Sequence, residues 1–372
     1  MSTGREHAER TGLSPSPGPG PSPSPSPGPG PGPGPSPGPG PGRVPLGRGS
    51  AWTTRLAFGA AGIGNLYRSV TDAEADGALS AAWDGGVRSF DTAPHYGLGL
   101  SERRLGAFLR DRPRDAYTVS TKVGRLLVPD PGARGDDLAH GFAVPAAYRR
   151  VWDFGADGIV RSLEASLERL GLDRVDIVYL HDPDDHAHQA LREAYPALER
   201  LRAEGVVGAI GVGMNQTAVP TRFVTETDID VVLLAGRYTL LDRSGLDELL
   251  PAALRRGVSV VVGGVFNSGL LADPRPDSMY DYAAAPPETL RQAVRLREIC
   301  ERHGVPLRAV AARFPLGHPA VAGVLIGLRG AAEAEDAVDL LGREIPAALW
   351  EELRREGHLS DDVPVPGRER GR

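Results

Sequence analysis

The sequence predicts an α/β fold, a (β/α)8 barrel with long loops at the C-terminal face of its strands. Short apolar runs alternate with longer amphipathic segments from Leu56 to a last helix at 346–357, and the alternation counts eight strands, each followed by a helix. No stretch breaks the pattern to form a second domain, which favours a closed barrel over an open doubly wound sheet. Two connections, Gly124 to Ala156 and Phe266 to Pro287, are far longer than is usual between βα units, and both leave C-terminal ends of strands.

Each element has a local cause. Leu56 to Gly59 reads as a strand running into the glycine-rich turn Gly59-Ala60-Ala61-Gly62-Ile63-Gly64. Thr71-Asp72-Ala73-Glu74 has capping-box spacing and opens a helix that Gly85-Gly86 stops. A strand at 87–91 ends at Asp91, where Pro94 and Gly97 forbid its continuation. Helix 101–110, strand 117–122, helix 157–170, strand 175–180, helix 188–204 and strand 207–212 follow. Helix 216–226, strand 230–234, helix 245–256, strand 258–263, helix 288–303, strand 321–326 and helix 331–341 complete the alternation. The first long connection carries Leu126, Leu127, Phe142, Tyr148, Trp152 and Phe154, and the second Tyr280 and Tyr282. Such loops either cover a substrate or pack onto outer helices, and the sequence leaves both readings open.

Composition bounds the rest. Among 372 residues, 24% are charged and 41% hydrophobic, the balance of a globular protein large enough for a sizeable core. A net charge of -6 gives no electrostatic reason to expect nucleic acid or an anionic membrane as partner. One cysteine, Cys300, excludes an intrachain disulfide, no apolar run approaches a membrane span, and the N-terminus has no apolar signal core. The cytoplasm is therefore the expected location, and no metal ligands are assigned. Between Ser14 and Gly42 every residue is Ser, Pro or Gly, with proline at each odd position from Pro15 to Pro41. This period of two cannot build a collagen helix, so residues 1–50 are expected to form a disordered, partly extended arm. An inert spacer is the first reading of the arm and a proline-binding ligand the second. Residues 51–360 would form the barrel, and 361–372 a polar tail.

The strand ends hold a selective set of residues. Asp91 closes the second strand, with Tyr96 in its loop; Lys122 closes the third, His181 the fourth and Asn215 the fifth. Four ionisable groups on the rim where barrel sites lie are unlike a random scatter of solvated charges. A phenol is a poor acid or base at neutral pH, and a neighbouring ammonium favours the phenolate and draws its pKa downward. Lys122 would do this for Tyr96, Asp91 would orient and charge Lys122, and His181 would hydrogen-bond the substrate oxygen beside the phenol.

These residues, in Phe90-Asp91-Thr92-Ala93-Pro94-His95-Tyr96-Gly97, Ser101-Glu102-Arg103-Arg104-Leu105-Gly106 and Ser120-Thr121-Lys122-Val123-Gly124-Arg125, resemble the aldo-keto reductase superfamily, in order and spacing, across 51–357. Ala61-Gly62-Ile63-Gly64-Asn65-Leu66-Tyr67, Leu180-His181-Asp182-Pro183-Asp184 and Gly211-Val212-Gly213-Met214-Asn215-Gln216 are most similar to its bacterial aldose 1-dehydrogenases, a group that includes L-fucose, D-threo-aldose and pyridoxal 4-dehydrogenases. The resemblance implies catalytic roles for Asp91, Tyr96, Lys122 and His181, and an extended NAD or NADP at the barrel mouth. Asn215 would hold the carboxamide, while Phe266, Asn267, Ser268, Gly269, Gly327 and Arg329 would clamp the pyrophosphate and adenosine ribose. Ala235 stands where many members have glutamine. Glu333 stands where NADPH-preferring members carry arginine, followed by Ala337 where asparagine is frequent, and a carboxylate there leans toward NAD. The implied reaction is hydride transfer from a sugar C1, with pyridoxal oxidation or broad aldehyde and ketone reduction as alternatives. A nicotinamide-binding regulatory barrel is the reading from another class, and it has no need of the phenol–lysine pair.

Overall fold

The computed structural model describes residues 42–281 and 283–367; most of the proline arm and Tyr282 lie outside the described residues. Eight parallel strands close into a barrel: β1 (Leu56–Gly59), β2 (Ser89–Asp91), β3 (Thr118–Val123), β4 (Ile177–His181), β5 (Ala209–Met214), β6 (Val231–Ala235), β7 (Ser259–Gly263) and β8 (Val321–Gly327). They pair in chain order, and β8 returns to β1 with Val324 opposite Leu56. The period of two decides which side chains face inward. On β3, Val119 and Val123 join the core beneath the helices, while Lys122 turns inward to Asp91.

The outer layer comprises α1 (Asp72–Asp84), α2 (Leu100–Leu109), α3 (Ala156–Leu170), a composite α4, α5 (Ala218–Glu226), α6 (Leu249–Arg256), α7 (Pro287–Arg302), α8 (Leu307–Arg313), α9 (Ala331–Gly342) and α10 (Ala347–Arg355). Helix α4 consists of Ala187–Gln189, a π segment Ala190–Ala194, and Tyr195–Ala203. The capping box forms as its spacing predicts, with Glu74 N donating to Thr71 Oγ1 at 3.1 Å and Thr71 N to Glu74 Oε2 at 2.7 Å. Helix α8 has no counterpart among the sequence-predicted elements. It is short, and five of its residues, Leu307, Ala309, Val310, Ala311 and Ala312, are buried, so no polar face marks its period.

Both expected boundaries of the barrel move. Arg43–Pro45 pairs antiparallel with Trp52–Thr54, so residues 43–50 belong to the fold and not to an arm. This hairpin drives Leu46 and Ala51 into a cluster with Ile177, Tyr179, Ala209, Val231 and Val261, closing the barrel floor. At the other end the expected polar tail buries Val363 and Val365 in the main core. Burial of these two apolar side chains outweighs the polar character of the flanking Asp361 and Asp362. Among the described residues no helix is long and apolar enough to cross a membrane.

Helices α2 and α3 touch at Gly106, where a Cβ would stand 1.8 Å from Leu170 O. Gly106→Ala adds about 1 kcal/mol of helix propensity but forces backbone apart, an overpacking penalty of about 1–3 kcal/mol or more. The variant is expected to show a lower urea midpoint than the parent; an unchanged or higher midpoint would mean that the two helices separate freely.

Candidate active site

At the C-terminal ends of the strands a cleft of about 670 Å³ opens, walled by Tyr96, Lys122, His181, His95, Phe142, Leu66 and Met279 among others. Tyr96 reaches it because the chain turns sharply after β2. Tyr96 N donates to Ala93 O at 3.1 Å, and Gly97 follows with φ of +61°. A Cβ on Gly97 would stand 2.2 Å from Gly64 O, so glycine is demanded by both conformation and space. The β1 and β2 loops are pinned together by Ser101, whose hydroxyl donates to Ala60 O at 2.7 Å and lies 2.8 Å from Thr92 Oγ1.

Beneath the cleft, Lys122 Nζ donates to Asp91 Oδ2 at 2.5 Å, to Thr92 O at 3.0 Å and to Tyr96 Oη at 3.0 Å. The other oxygen of Asp91 accepts from Ser120 Oγ at 2.7 Å. The ammonium thus spends all three protons on protein oxygens, which fixes its position. Lys122 and Asp91 are almost wholly buried, so the pair is shielded from solvent screening. Burial alone would lower the pKa of Lys122, but Asp91 and Tyr96 together raise it above its ordinary value.

The phenol departs from the sequence expectation. Desolvation raises the pKa of Tyr96 above its ordinary value, and the opposing pull of Lys122 does not overcome it. The resting residue is a neutral phenol hydrogen-bonded to a cation. His181 is also neutral, its pKa held well below the usual range by burial, with Arg125 and Lys122 adding to the effect. Its ring lies 6.0 Å from that of Tyr96 and perpendicular to it, and its buried Nδ1 has no partner among the described residues. The next residue, Asp182, has a φ of +42° and pairs with Arg125.

The sequence-predicted residues do not all meet at one point. Tyr96, Lys122, His181, Asn215 and Ser268 share the cleft wall, with Asp91 directly beneath through Lys122. Phe266, Asn267 and Gly269 lie in the segment after β7, and Gly327, Arg329 and Glu333 at or beyond the end of β8. These are rim positions off the cleft wall. Their features fit an extended nucleotide: among the described residues Asn267 Oδ1 is buried without a partner, and a Cβ at Gly269 or Gly327 would meet nothing within 4 Å. Glu333 Oε2 accepts from Arg329 N at 3.0 Å and its carboxylate faces the Arg329 guanidinium, so the two charges offset each other in part.

The first long connection folds into antiparallel pairs, Arg125–Pro129 with Tyr148–Trp152 and Asp136–Asp137 with Phe142–Pro145. Both readings of its aromatics hold for different residues. Phe142 caps the cleft 6.1 Å from the Tyr96 ring, whereas Phe154 is fully buried in the core under the helices and Trp152 is exposed. In the second connection, Met279–Tyr280 pairs with Ala283–Ala284 and Arg237 donates to Asp281 at 2.7 Å, tying that segment to the rim. Sequence reasoning assigned no role to Arg150, Asp137, Arg237 or His95. Arg150, Asp137 and Arg237 show in the sequence as charges in loops, which resemble solvated surface, and His95 is marked by its place immediately before Tyr96.

The sequence model of the Aldo/keto reductase family matches residues 55–355. The chain is 50% identical over 316 residues to a D-threo-aldose 1-dehydrogenase of Pseudomonas sp, covering 84% of this chain and 95% of that protein. It is 40% identical over 333 residues to a pyridoxal 4-dehydrogenase of Microbacterium luteolum, covering 85% and 97%. Among solved structures, the holo form of an aldo-keto reductase from Bacillus halodurans superposes with a TM-score of 0.68 at 25% identity, covering 85% of this chain and 96% of that one. With the barrel, the buried lysine and the matched span in agreement, the chain belongs to the aldo/keto reductase family and is an oxidoreductase that uses NAD or NADP.

Proposed function

We propose that the protein oxidises an aldose at C1 to the aldonolactone, with Asp91, Tyr96, Lys122 and His181 as its catalytic set. The observation that carries this reading is the buried Lys122, which joins Asp91 to the Tyr96 hydroxyl at the floor of a cleft walled by polar His95, His140, His181 and Asp182. Such walls suit a ligand bearing several hydroxyls, and the similarity to a D-threo-aldose 1-dehydrogenase supports the same substrate class.

A nicotinamide held at the cleft would supply the hydride acceptor. Tyr96 Oη takes the anomeric hydroxyl proton once the phenol has itself been deprotonated, and Lys122 stabilises that phenolate. His181 hydrogen-bonds the same substrate oxygen and holds it beside the phenol. In the reverse direction the resting phenol protonates a carbonyl oxygen directly. Asn215, Phe266, Asn267, Ser268, Gly269, Gly327, Arg329 and Glu333 are the residues that would hold the dinucleotide. Oxidation of pyridoxal is a second reading, favoured by the flat Phe142 ring on the cleft wall and by the Microbacterium relative.

The test is initial-rate absorbance at 340 nm with NAD or NADP and a panel of L-fucose, D-arabinose, L-galactose, D-glucose and pyridoxal. Turnover on a sugar supports the aldose reading; activity on pyridoxal alone moves the function to the second. In the same assay Glu333→Arg is expected to lower the KM for NADP about tenfold relative to NAD, a change of about 1.4 kcal/mol. An unchanged coenzyme ratio would remove Glu333 from the adenosine-ribose site.

A further inference from the structure

Building on the aldose reading, we propose that His95 recognises the substrate's C2 hydroxyl through a hydrogen bond donated from Nε2, and that Arg150 and Asp137 are positioning residues that hold His95 in that tautomer. His95 lines the cleft immediately before Tyr96. Its ring centroid lies 6.2 Å from Tyr96 and 5.9 Å from His181. A substrate oxygen held between Tyr96 Oη and His181 therefore has the oxygen of its neighbouring carbon beside His95. On an aldose reacting at C1, the hydroxyl there is that of C2.

The tautomer follows from donors and acceptors. Arg150 Nε donates to His95 Nδ1 at 2.5 Å, and Arg150 Nη2 donates to His95 O at 3.1 Å. A guanidinium has only protons to offer, so Nδ1 must present its lone pair and the single proton of the neutral ring sits on Nε2. No protein group accepts from Nε2 among the described residues. The ring stays neutral because burial, then Arg125, Arg150, His140 and Lys122, hold its pKa at about 2. Asp137 fixes Arg150 in turn, with Oδ1 2.8 Å from Nη1 and Oδ2 2.5 Å from Nη2. Phe142 meets the imidazole edge-on at 5.2 Å and stops it rotating. Arg150, Asp137 and Phe142 all belong to the first long connection, so that loop builds specificity into the residue beside the catalytic phenol.

A donor enclosed in this way discriminates by what it loses. A substrate without the C2 oxygen desolvates Nε2–H and leaves it unpaired, a penalty of about 1–3 kcal/mol, or up to about 10²-fold in kcat/KM. The experiment compares kcat/KM for the best aldose of the panel and its 2-deoxy counterpart in the parent, His95→Leu, His95→Gln and Arg150→Met. The parent is expected to prefer the full aldose by about 10²-fold. His95→Leu should reduce the preference to within about threefold, with the loss falling on the full aldose, while His95→Gln, whose amide can donate, keeps an intermediate preference. Arg150→Met should weaken the preference, because without the Arg150 donor on Nδ1 the single ring proton can sit on either nitrogen. A His95→Leu enzyme that keeps the full preference, or that loses both sugars equally, overturns the role of His95 while leaving aldose oxidation intact. A parent enzyme that oxidises no sugar overturns the aldose reading and this inference together.

Discussion

A Tyr96→Phe enzyme is expected to lose about 10³-fold in kcat in both directions, within the range general acid–base catalysis supplies, while binding NAD or NADP as tightly as the parent. Only the hydroxyl is removed; the ring still packs near Phe142 and His181, so the cleft keeps its shape. Lys122 loses one of its three acceptors and keeps Asp91 Oδ2 and Thr92 O, so the floor of the cleft stays intact. The checks are single-turnover rates and coenzyme affinity by fluorescence titration. Near-parental turnover would move proton transfer elsewhere. The raised pKa of Tyr96 adds a pH signature. Aldose oxidation needs the phenolate and should accelerate as pH rises from about 7 to 10, whereas carbonyl reduction uses the phenol and should stay flat over that range. Tyr96→Phe should abolish the slope of the oxidation profile along with the rate.

Lys122→Met should abolish activity and destabilise the fold by about 3–5 kcal/mol, because it leaves the Asp91 carboxylate buried without its cation. Ser120 Oγ still donates to Asp91 Oδ1, but one neutral hydrogen bond does not replace an ion pair at 2.5 Å. The double variant Asp91→Asn/Lys122→Met removes both charges, and much of the lost stability should return while the activity does not. Urea denaturation of the parent, both single variants and the double variant gives the coupling energy. Additive losses would show that the pair is held by its surroundings rather than by each other. A double variant with restored turnover would remove Lys122 from proton transfer.

The order of strands and helices was legible because its causes are local. Periods of two and 3.6, the Thr71 capping box and the glycine stops act over a few residues, and the barrel then follows from parallel strands in sequence. Asp91, Lys122 and His181 were legible for the same reason, since Asp91 and His181 end their strands, Lys122 is the last residue but one of its strand, and inward facing alternates along each. Tyr96 followed because the Pro94–Gly97 turn allows little but a loop pointing into the mouth.

What remained depends on contacts that no window of sequence contains. The hairpin at Arg43–Pro45 exists because Leu46 finds a cluster drawn from β4, β5, β6 and β7, and Val363 and Val365 are buried by a core assembled far earlier in the chain. Arg150 reaches His95 across 55 positions. The direction of the Tyr96 pKa was likewise a tertiary outcome: sequence shows that a lysine is near, whereas only packing shows how much water the phenol has lost, and desolvation is the larger effect. By itself the sequence determined the barrel and which ionisable residues stand at its strand ends. The tertiary structure alone decided which loop closes over them and in what charge state they rest, because desolvation and long-range packing are properties of the assembled chain.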